Sequence, residues 1–164
     1  CDGALKSENG IWGCVSSLYH IDVIVDADRA DIFDIIDKHL ALVIAHELHH
    51  VVRAATGVEE KTLFQVLVSE GLACSFEDCI NSNNKSDFFE GVKQENWREL
   101  LSQMKVDLDN SAFDYQVYFG GKESKFPNRA GYWVGFNLVK EYIRKNGGCP
   151  VSLIGMPAEQ FSLF

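Results

Sequence analysis

Two short stretches of the sequence carry side chains that bind metals in proteins. The first is His46-Glu47-Leu48-His49-His50, and the second is Ser69-Glu70-Gly71-Leu72-Ala73. Residues four apart on an α-helix lie one turn apart on the same face, so both His46 and His50 are able to reach one cation. Glu47 projects beside that face, where a metal-activated water would lie. The first stretch therefore predicts a metal site with a general base next to it.

Glu70 is the predicted third ligand, because a catalytic zinc site takes three protein ligands. It lies within residues 63–76, a segment that is apolar on nearly every side. An ionised carboxylate buried there without a partner is costly, and a cation relieves that cost. The sequence therefore predicts one Zn²⁺ per chain, held by His46, His50 and Glu70.

A simpler interpretation of the pentad stays open. A His-Glu-x-x-His pattern also arises by chance, and such occurrences are expected on solvated helices. Here the flanking residues 40–45 and 51–52 are apolar, which predicts a core helix. Buried polar side chains in a core helix need partners, and a network of hydrogen bonds is the alternative to a metal ion.

Length and composition favour one compact domain over residues 1–164. The chain is 46% hydrophobic and 12% aromatic, which is enough to bury a core. Its net charge of −9 argues against a nucleic-acid partner. No apolar run reaches the length of a membrane span, and no signal peptide is recognisable.

The five cysteines are scattered and odd in number, which does not indicate a disulfide framework. A reducing compartment, and hence a cytoplasmic location, is the expectation from this pattern, with one bridge left open. Because the first residue is Cys1, a trimmed targeting segment and a periplasmic or lipid-anchored location also stay open.

The periodicity of apolar residues predicts two strands, then a long helix ending before Gly57. A Thr62-x-x-Gln65 capping box predicts the start of the second helix, where Gly71 is expected to pack closely against the first helix. The predicted elements are strands at 11–15 and 19–25, a helix at 31–56, a helix from 62, an amphipathic helix at 87–104, a short strand at 113–119, a helix at 130–145 and a closing helix within 151–164.

The pentad followed by Glu70 resembles the gluzincin metallopeptidases, in which a glutamate one helix later is the third zinc ligand. Residues 46–53 (HELHHVVR), 69–73 (SEGLA) and 131–136 (GYWVGF) together are similar to a bacterial family of predicted zinc-dependent proteases, DUF2268. The resemblance implies an α+β, zincin-like fold, with a small N-terminal β-sheet packed on the long helix and a mostly helical C-terminal part. It also implies that strand 19–25 is the edge to which an extended peptide adds.

Position 74 departs from the gluzincin pattern. Four residues after the third ligand, gluzincins often place an acid that hydrogen-bonds a zinc histidine, and here that residue is Cys74. Orientation of His46 or His50 must then come from Glu77, from an aspartate before the first helix, or from a backbone carbonyl. Cys74 itself is interpreted as a small buried residue, with additional metal ligation as the alternative.

These residues predict a zinc-dependent hydrolase, specifically a metallopeptidase acting on a peptide or protein substrate. Glu47 would accept a proton from the metal-activated water and deliver it to the leaving amine. Tyr132 is the predicted donor to the oxyanion, with simple packing beside its aromatic neighbours as the alternative. The residues kept in reserve for this role are Tyr115, Tyr118 and Arg129.

Two other functions stay open at this stage. One is a non-catalytic zinc-binding or regulatory module, against which the intact Glu47 argues. The other is hydrolysis of a non-peptide amide by the same residues. Arg53 is expected to pair with a buried acid such as Glu77, or to form an ordinary surface salt bridge.

Overall fold

The computed structural model describes residues 10–81, 87–120 and 125–162. Its elements are strands β1 (Ile11–Ser17) and β2 (His20–Val25), helices α1 (Ile32–Ala55), α2 (Leu63–Ile80), α3 (Trp97–Met104), α4 (Tyr115–Phe119) and α5 (Ala130–Asn146), and short 3-10 helices at Asp87–Phe89, Lys105–Asp107 and Ala158–Phe161. The fold is of the α+β class, with a small antiparallel sheet and a mostly helical remainder, as predicted.

The two strands form an antiparallel hairpin that packs on α1. Ile11 pairs with Val25 and Gly13 pairs with Val23, and the register is irregular between Val15 and Ser17. Within the described residues β1 has no strand partner other than β2. The predicted strand pair is therefore confirmed.

Helix α1 has nearly the predicted boundaries. Asp31 precedes it, but the carboxylate does not cap the helix; it accepts hydrogen bonds from Nε and Nη2 of Arg29, each at 2.9 Å. The chain leaves the helix through Gly57, whose φ of 78° is easily adopted only without a side chain.

The expectation that α1 is a core helix is wrong. Its buried apolar residues are few, and its buried face carries mainly polar side chains. The buried polar residues of α1 are Glu47, His49 and Arg53. Its exposed apolar residues Ile44, Leu48 and Val52, spaced by one turn, are 42%, 46% and 43% exposed. The helix borders the core and directs its polar face inward, where each polar group needs a partner.

Helix α2 lies between α1 and α5 and is the most deeply buried element. The predicted capping box is present: the Thr62 hydroxyl accepts from the Gln65 N–H, and the Gln65 side chain accepts from the Thr62 N–H. The expected packing of Gly71 against α1 is wrong, since a Cβ at Gly71 would overlap the backbone of Gly135 in α5. The two glycines instead allow α2 and α5 to approach closely.

The apolar core is formed mainly by α2, α3 and α5. Its fully buried members include Leu63, Leu67, Leu72, Met104, Val134, Leu138 and Phe161. Helix α5 has the predicted start and ends one residue beyond the predicted end. The closing helix predicted for the tail is a single 3-10 turn, Ala158–Phe161.

Two predictions between α2 and α5 are wrong. Residues 87–104 do not form one helix, because a new helix begins only at Trp97, where the Asn96 side chain accepts the Arg98 N–H. Residues 113–119 are not a strand but contain α4, which begins after Asp114, whose carboxylate accepts the Gln116 N–H. In both cases a local side-chain cap outweighs the apolar pattern.

Cys14 in β1 is disulfide-bonded, whereas Cys74, Cys79 and Cys149 are free thiols. The single bridge that the cysteine pattern left open is therefore present. None of the described helices is both long and apolar enough to cross a membrane.

Candidate metal centre

Helices α1 and α2 bring the three predicted ligands together. His46 Nε2 lies 3.1 Å and His50 Nε2 lies 3.3 Å from Oε2 of Glu70, and the two Nε2 atoms are 3.0 Å apart. Each residue offers one ligand atom to this triangle. The two imidazoles come from successive turns of α1, and the carboxylate comes from the middle of α2.

The size of this triangle fits a zinc ion. Tetrahedral ligands about 2.0–2.1 Å from Zn²⁺ are separated from each other by roughly 3.3 Å. The three observed separations, 3.0, 3.1 and 3.3 Å, lie close to that value. A donor set of two imidazoles and one carboxylate is also one that zinc accepts. The residues present therefore fit the metal that the sequence predicts.

Glu77 orients His46, in agreement with one of the predicted options. Its Oε1 lies 2.5 Å from His46 Nδ1, which leaves Nε2 facing Glu70. Glu70, Cys74 and Glu77 follow one face of α2, so the acid absent at position 74 is supplied one turn later. The spacing of these three residues was the signal for this pairing in the sequence.

His46, Cys74 and Glu77 form a second group of three side chains of types that can bind a metal ion. Burial raises the pKa of the Cys74 thiol to about 12. The thiolate form that binds metals is therefore disfavoured, and Cys74 is the buried residue that the sequence interpretation favoured.

His50 is oriented by Ser69 rather than by an acid directly. Its Nδ1 lies 3.1 Å from Ser69 Oγ, and the Ser69 hydroxyl donates to Oε1 of Glu60 at 2.7 Å. The same Oε1 accepts from Nε of Arg53 at 3.0 Å. Arg53 pairs with an acid, as one expectation had it, but the acid is Glu60 rather than Glu77 and is 29% exposed. The other expectation, a surface salt bridge, is wrong because the Arg53 side chain is fully buried. Sequence reasoning missed Glu60, and it gave no role to Ser69, although Ser69 begins the SEGLA stretch.

The third imidazole of the pentad is not part of the group. His49 is buried, and its Nε2 lies 3.4 Å from the carbonyl oxygen of Pro150. Burial lowers the pKa of His49 to about 4, so the ring is neutral. Its ring packs against Phe76. His49 therefore helps to fix α1 on its neighbours.

The histidines and carboxylates of the group change one another's pKa values. Burial alone would lower the pKa of His46, but the charge of Glu77 and hydrogen bonds with Cys74, Glu70 and Glu77 raise it well above its usual value. Burial likewise opposes ionisation of Glu70, yet the charges of and hydrogen bonds with His50 and His46 lower its pKa. The pocket thus stabilises positive charge at its centre, which is the requirement for holding a cation.

Glu47 lies beside the triangle and against β1. It is 9% exposed, and burial raises the pKa of its carboxyl group. An ideal Cβ at Gly13 would lie 2.5 Å from Glu47 Cγ and 2.9 Å from Glu47 Oε1. The strand can approach this carboxylate so closely only because residue 13 has no side chain. Gly13 is a second feature of the site that the sequence did not indicate.

Tyr132 and Tyr115 border the group on the side of α4 and α5. The Tyr115 hydroxyl donates to Oε1 of Glu70 at 2.9 Å, and the two tyrosine oxygens are 2.7 Å apart. Because the proton of the Tyr115 hydroxyl lies in its hydrogen bond to Glu70, the Tyr132 hydroxyl must be the donor in its hydrogen bond with Tyr115. Burial and the charge of Glu70 raise the pKa of both hydroxyl groups, so both remain protonated.

The other reserve residues lie elsewhere. The Tyr118 hydroxyl donates to Asp107 at 2.7 Å, and Arg129 donates to the Phe88 carbonyl at 2.6 Å and lies over its ring. Tyr115 and Tyr132 are therefore the members of the predicted set that reach the candidate ligands.

Two cavities open onto the group, and both are bordered by Gly13, His46, Glu47 and Tyr132. The first has a volume of about 150 Å³ and is lined by Ile11, Trp12, Leu42, Val43 and Phe88, with His39 and Glu77 at its polar part. The second, about 350 Å³, contains Glu70 and His50. All strand residues that line these cavities belong to β1, so β1 rather than the expected strand 19–25 borders the site.

The His-Glu-x-x-His pentad lies on α1, and α2 adds a carboxylate to its two histidines. The protein therefore has a candidate metal centre with a carboxylate, Glu47, beside it. The chain belongs to the family described as Predicted Zn-dependent protease (DUF2268), which matches residues 6–162.

One curated relative is the uncharacterized protein YjaZ of Bacillus subtilis (strain 168). It is 25% identical to this chain over an alignment of length 131, which covers 74% of this chain and 49% of that protein. The chain therefore spans about half the length of the curated relative it matches. No solved structure matches the chain.

Proposed function

We propose that this chain is a zinc-dependent metallopeptidase with a single zincin-like, gluzincin-type domain over residues 1–164. The observation that carries the proposal is the triangle formed by His46, His50 and Glu70, whose size fits tetrahedral zinc. Membership of a family described as zinc-dependent proteases supports the same metal and a peptide or protein substrate. This triangle would hold one Zn²⁺ per chain.

Each side chain of the group has a role in this proposal. A bound zinc ion would supply a Lewis acid that activates water near neutral pH. Glu47, enclosed between α1 and β1, accepts the proton of the attacking water and gives it to the leaving amine. Tyr132 donates a hydrogen bond to the oxyanion, after its hydroxyl turns from Tyr115. The Tyr115 hydroxyl continues to donate its hydrogen bond to Glu70 and so fixes the position of that carboxylate.

The substrate is proposed to lie along β1. An extended peptide can add to the edge of a strand. Within the part of the chain that the structure describes, β1 pairs only with β2, and it borders both cavities at the site. The smaller cavity, beside His46 and Glu47, is walled by apolar side chains and suits an apolar residue next to the cleaved bond.

Metal analysis and one substitution test the proposal. Protein purified without added metal should contain about one zinc per chain, as the three-ligand set requires. Glu47→Gln keeps the shape of the side chain but cannot accept a proton, so zinc should remain while peptide hydrolysis falls by about 10²–10⁴-fold. Glu99→Gln, the same change at an exposed position in α3, is the matched control and should keep full activity.

The results separate the proposal from its alternative. Full activity of the Glu47→Gln protein would refute the mechanism, and absence of zinc would refute the site. A wild-type protein that holds zinc but cleaves nothing in a broad peptide library would favour the non-catalytic zinc-binding module.

A further inference from the structure

A chain of hydrogen bonds connects a buried arginine to one of the candidate ligands. Arg53 Nε donates to Glu60 Oε1 at 3.0 Å, the Ser69 hydroxyl donates to the same oxygen at 2.7 Å, and Ser69 Oγ lies 3.1 Å from His50 Nδ1. Arg53 is also held by the backbone, since Nη1 donates to the carbonyl oxygens of Ile154 and Met156. This series of hydrogen bonds therefore begins at the guanidinium group of Arg53, which the backbone holds in place, and ends at the imidazole ring of His50.

The donor and the acceptor in each of these hydrogen bonds follow from the types of side chain involved. A guanidinium group only donates, and the carboxylate paired with it only accepts. The Ser69 hydroxyl has one proton, and that proton lies between Ser69 and Glu60. If it pointed to His50 instead, two oxygens 2.7 Å apart would face each other without a hydrogen. His50 must therefore donate its Nδ1 proton to Ser69.

We propose that Arg53, Glu60 and Ser69 act as a positioning relay that holds His50 as the tautomer protonated on Nδ1, with the Nε2 lone pair directed to the metal. This inference rests on the proposed zinc site. It gives the two histidines different supports: His46 contacts the carboxylate of Glu77 directly, whereas His50 reaches a carboxylate through a hydroxyl. Arg53 fixes the Glu60 carboxylate and so the orientation of the whole relay.

The relay also explains why α1 buries an arginine. Arg53 is 0% exposed, and burying a charged group is costly unless it is paired and hydrogen-bonded. A purely structural arginine would account for the bonds to the carbonyls of Ile154 and Met156. It would not require Ser69 to contact both Glu60 and the ring of a ligand.

Ser69→Ala tests the relay with a small change, since it removes only the hydroxyl. Its matched control is Ser75→Ala, because Ser75 is buried in the same helix to the same extent and its hydroxyl has no hydrogen-bond partner among the described residues. Loss of a group that orients a metal-binding histidine typically weakens metal binding by about 10–100-fold. We expect this loss of zinc affinity for Ser69→Ala, and unchanged affinity for Ser75→Ala, in a competition titration with a chromogenic chelator.

The tautomer of His50 is a second readout that needs neither metal nor activity. Long-range ¹H–¹⁵N spectra of the metal-free protein should show His50 protonated on Nδ1 in wild type and in Ser75→Ala. In Ser69→Ala that preference should be lost. A wild-type His50 protonated on Nε2, or a zinc affinity for Ser69→Ala within twofold of a zinc-binding wild type, would overturn the relay.

A double-mutant cycle with Glu60→Gln tests whether Glu60 acts through Ser69. Glu60→Gln should weaken zinc binding in wild type, and the same change should have little further effect once Ser69 is alanine. Fully additive losses would overturn the relay, since they would mean that Glu60 acts on the metal independently. If wild type binds no zinc, the proposed function fails, but the tautomer spectra still decide whether the relay exists.

Discussion

Gly13 is the position at which a single added methyl group should separate metal binding from catalysis. The residue lies in β1 opposite Val23, and its backbone faces the side chain of Glu47. A Cβ placed there would lie 2.5 Å from Glu47 Cγ and 2.9 Å from both Glu47 Oε1 and Val43 Cγ1. The ligand atoms of the triangle are not among these close neighbours. Gly13→Ala should therefore displace the general base and leave the metal ligands in place.

The size of the effect follows from these distances. Ordinary contact between carbon atoms is about 3.5–4.0 Å, so relief of the 2.5 Å contact requires a shift of about 1 Å. Misplacement of a reacting group by about 1 Å can cost about 10²-fold in rate, which corresponds to about 2.7 kcal/mol of transition-state stabilisation. The crowding itself should cost about 1–3 kcal/mol of folding stability, as is typical of an overpacked site.

The assay compares three proteins on any peptide that wild type cleaves. Gly13→Ala should keep about one zinc per chain, by the three-ligand argument, while its kcat falls about 10²-fold. Gly91→Ala is the matched control, because a Cβ at Gly91 would have no atom of the described residues within 4 Å. Urea titrations of all three proteins measure the stability cost separately from the rate.

Two results would refute this reasoning. If Gly13→Ala cleaves at the wild-type rate with its zinc retained, then the position of Glu47 against β1 does not matter for hydrolysis. If Gly13→Ala loses zinc while Gly91→Ala does not, then β1 supports the ligands rather than the base.

Two further predictions concern Glu70 and Tyr132. Zinc at 100 times its Kd should stabilise wild type by about 2.7 kcal/mol, or about 5–11 °C in Tm for a chain of this size, and Glu70→Gln should lose most of that shift because a ligand oxygen is replaced. Thermal melts with and without chelator measure this, and an undiminished zinc-dependent shift would mean that Glu70 is not a ligand. Tyr132→Phe should lower kcat by about 10²-fold with zinc retained, as loss of one oxyanion donor does; steady-state kinetics that show less than a twofold change would assign Tyr132 to packing instead.

The candidate metal ligands could be predicted from the sequence because the spacing of the two histidines is a property of the helix itself. His46 and His50 share a face of any α-helix that contains them, and Glu70 was identified by its apolar surroundings. The boundaries of α1 and α5 and the capping box of α2 were predicted on the same local basis. Periodicity and capping act within a few residues, so no tertiary contact is needed to infer them.

Where local signals compete, the apolar pattern was misleading. Alternation over residues 113–119 predicted a strand, but the cap at Asp114 begins a helix there. The apolar stripe over residues 87–104 predicted one helix, but Asn96 begins a shorter one at Trp97. Apolar side chains around the pentad predicted a core helix, although Ile44 and its neighbours one and two turns away are exposed. A pattern indicates which residues share a face, but not which face is covered.

The surroundings of the ligands were decided only by tertiary structure. Arg53 lies in α1 and Ser69 lies in α2, yet both donate to Oε1 of Glu60 because the two helices pack side by side. Gly13 faces Glu47 because the hairpin packs on α1. The spacing of residues along the sequence does not predict that contact. The sequence by itself thus determined which side chains are candidate metal ligands, since helix geometry is local. Their orientation depends on contacts between elements distant in the chain, which only the packed structure specifies.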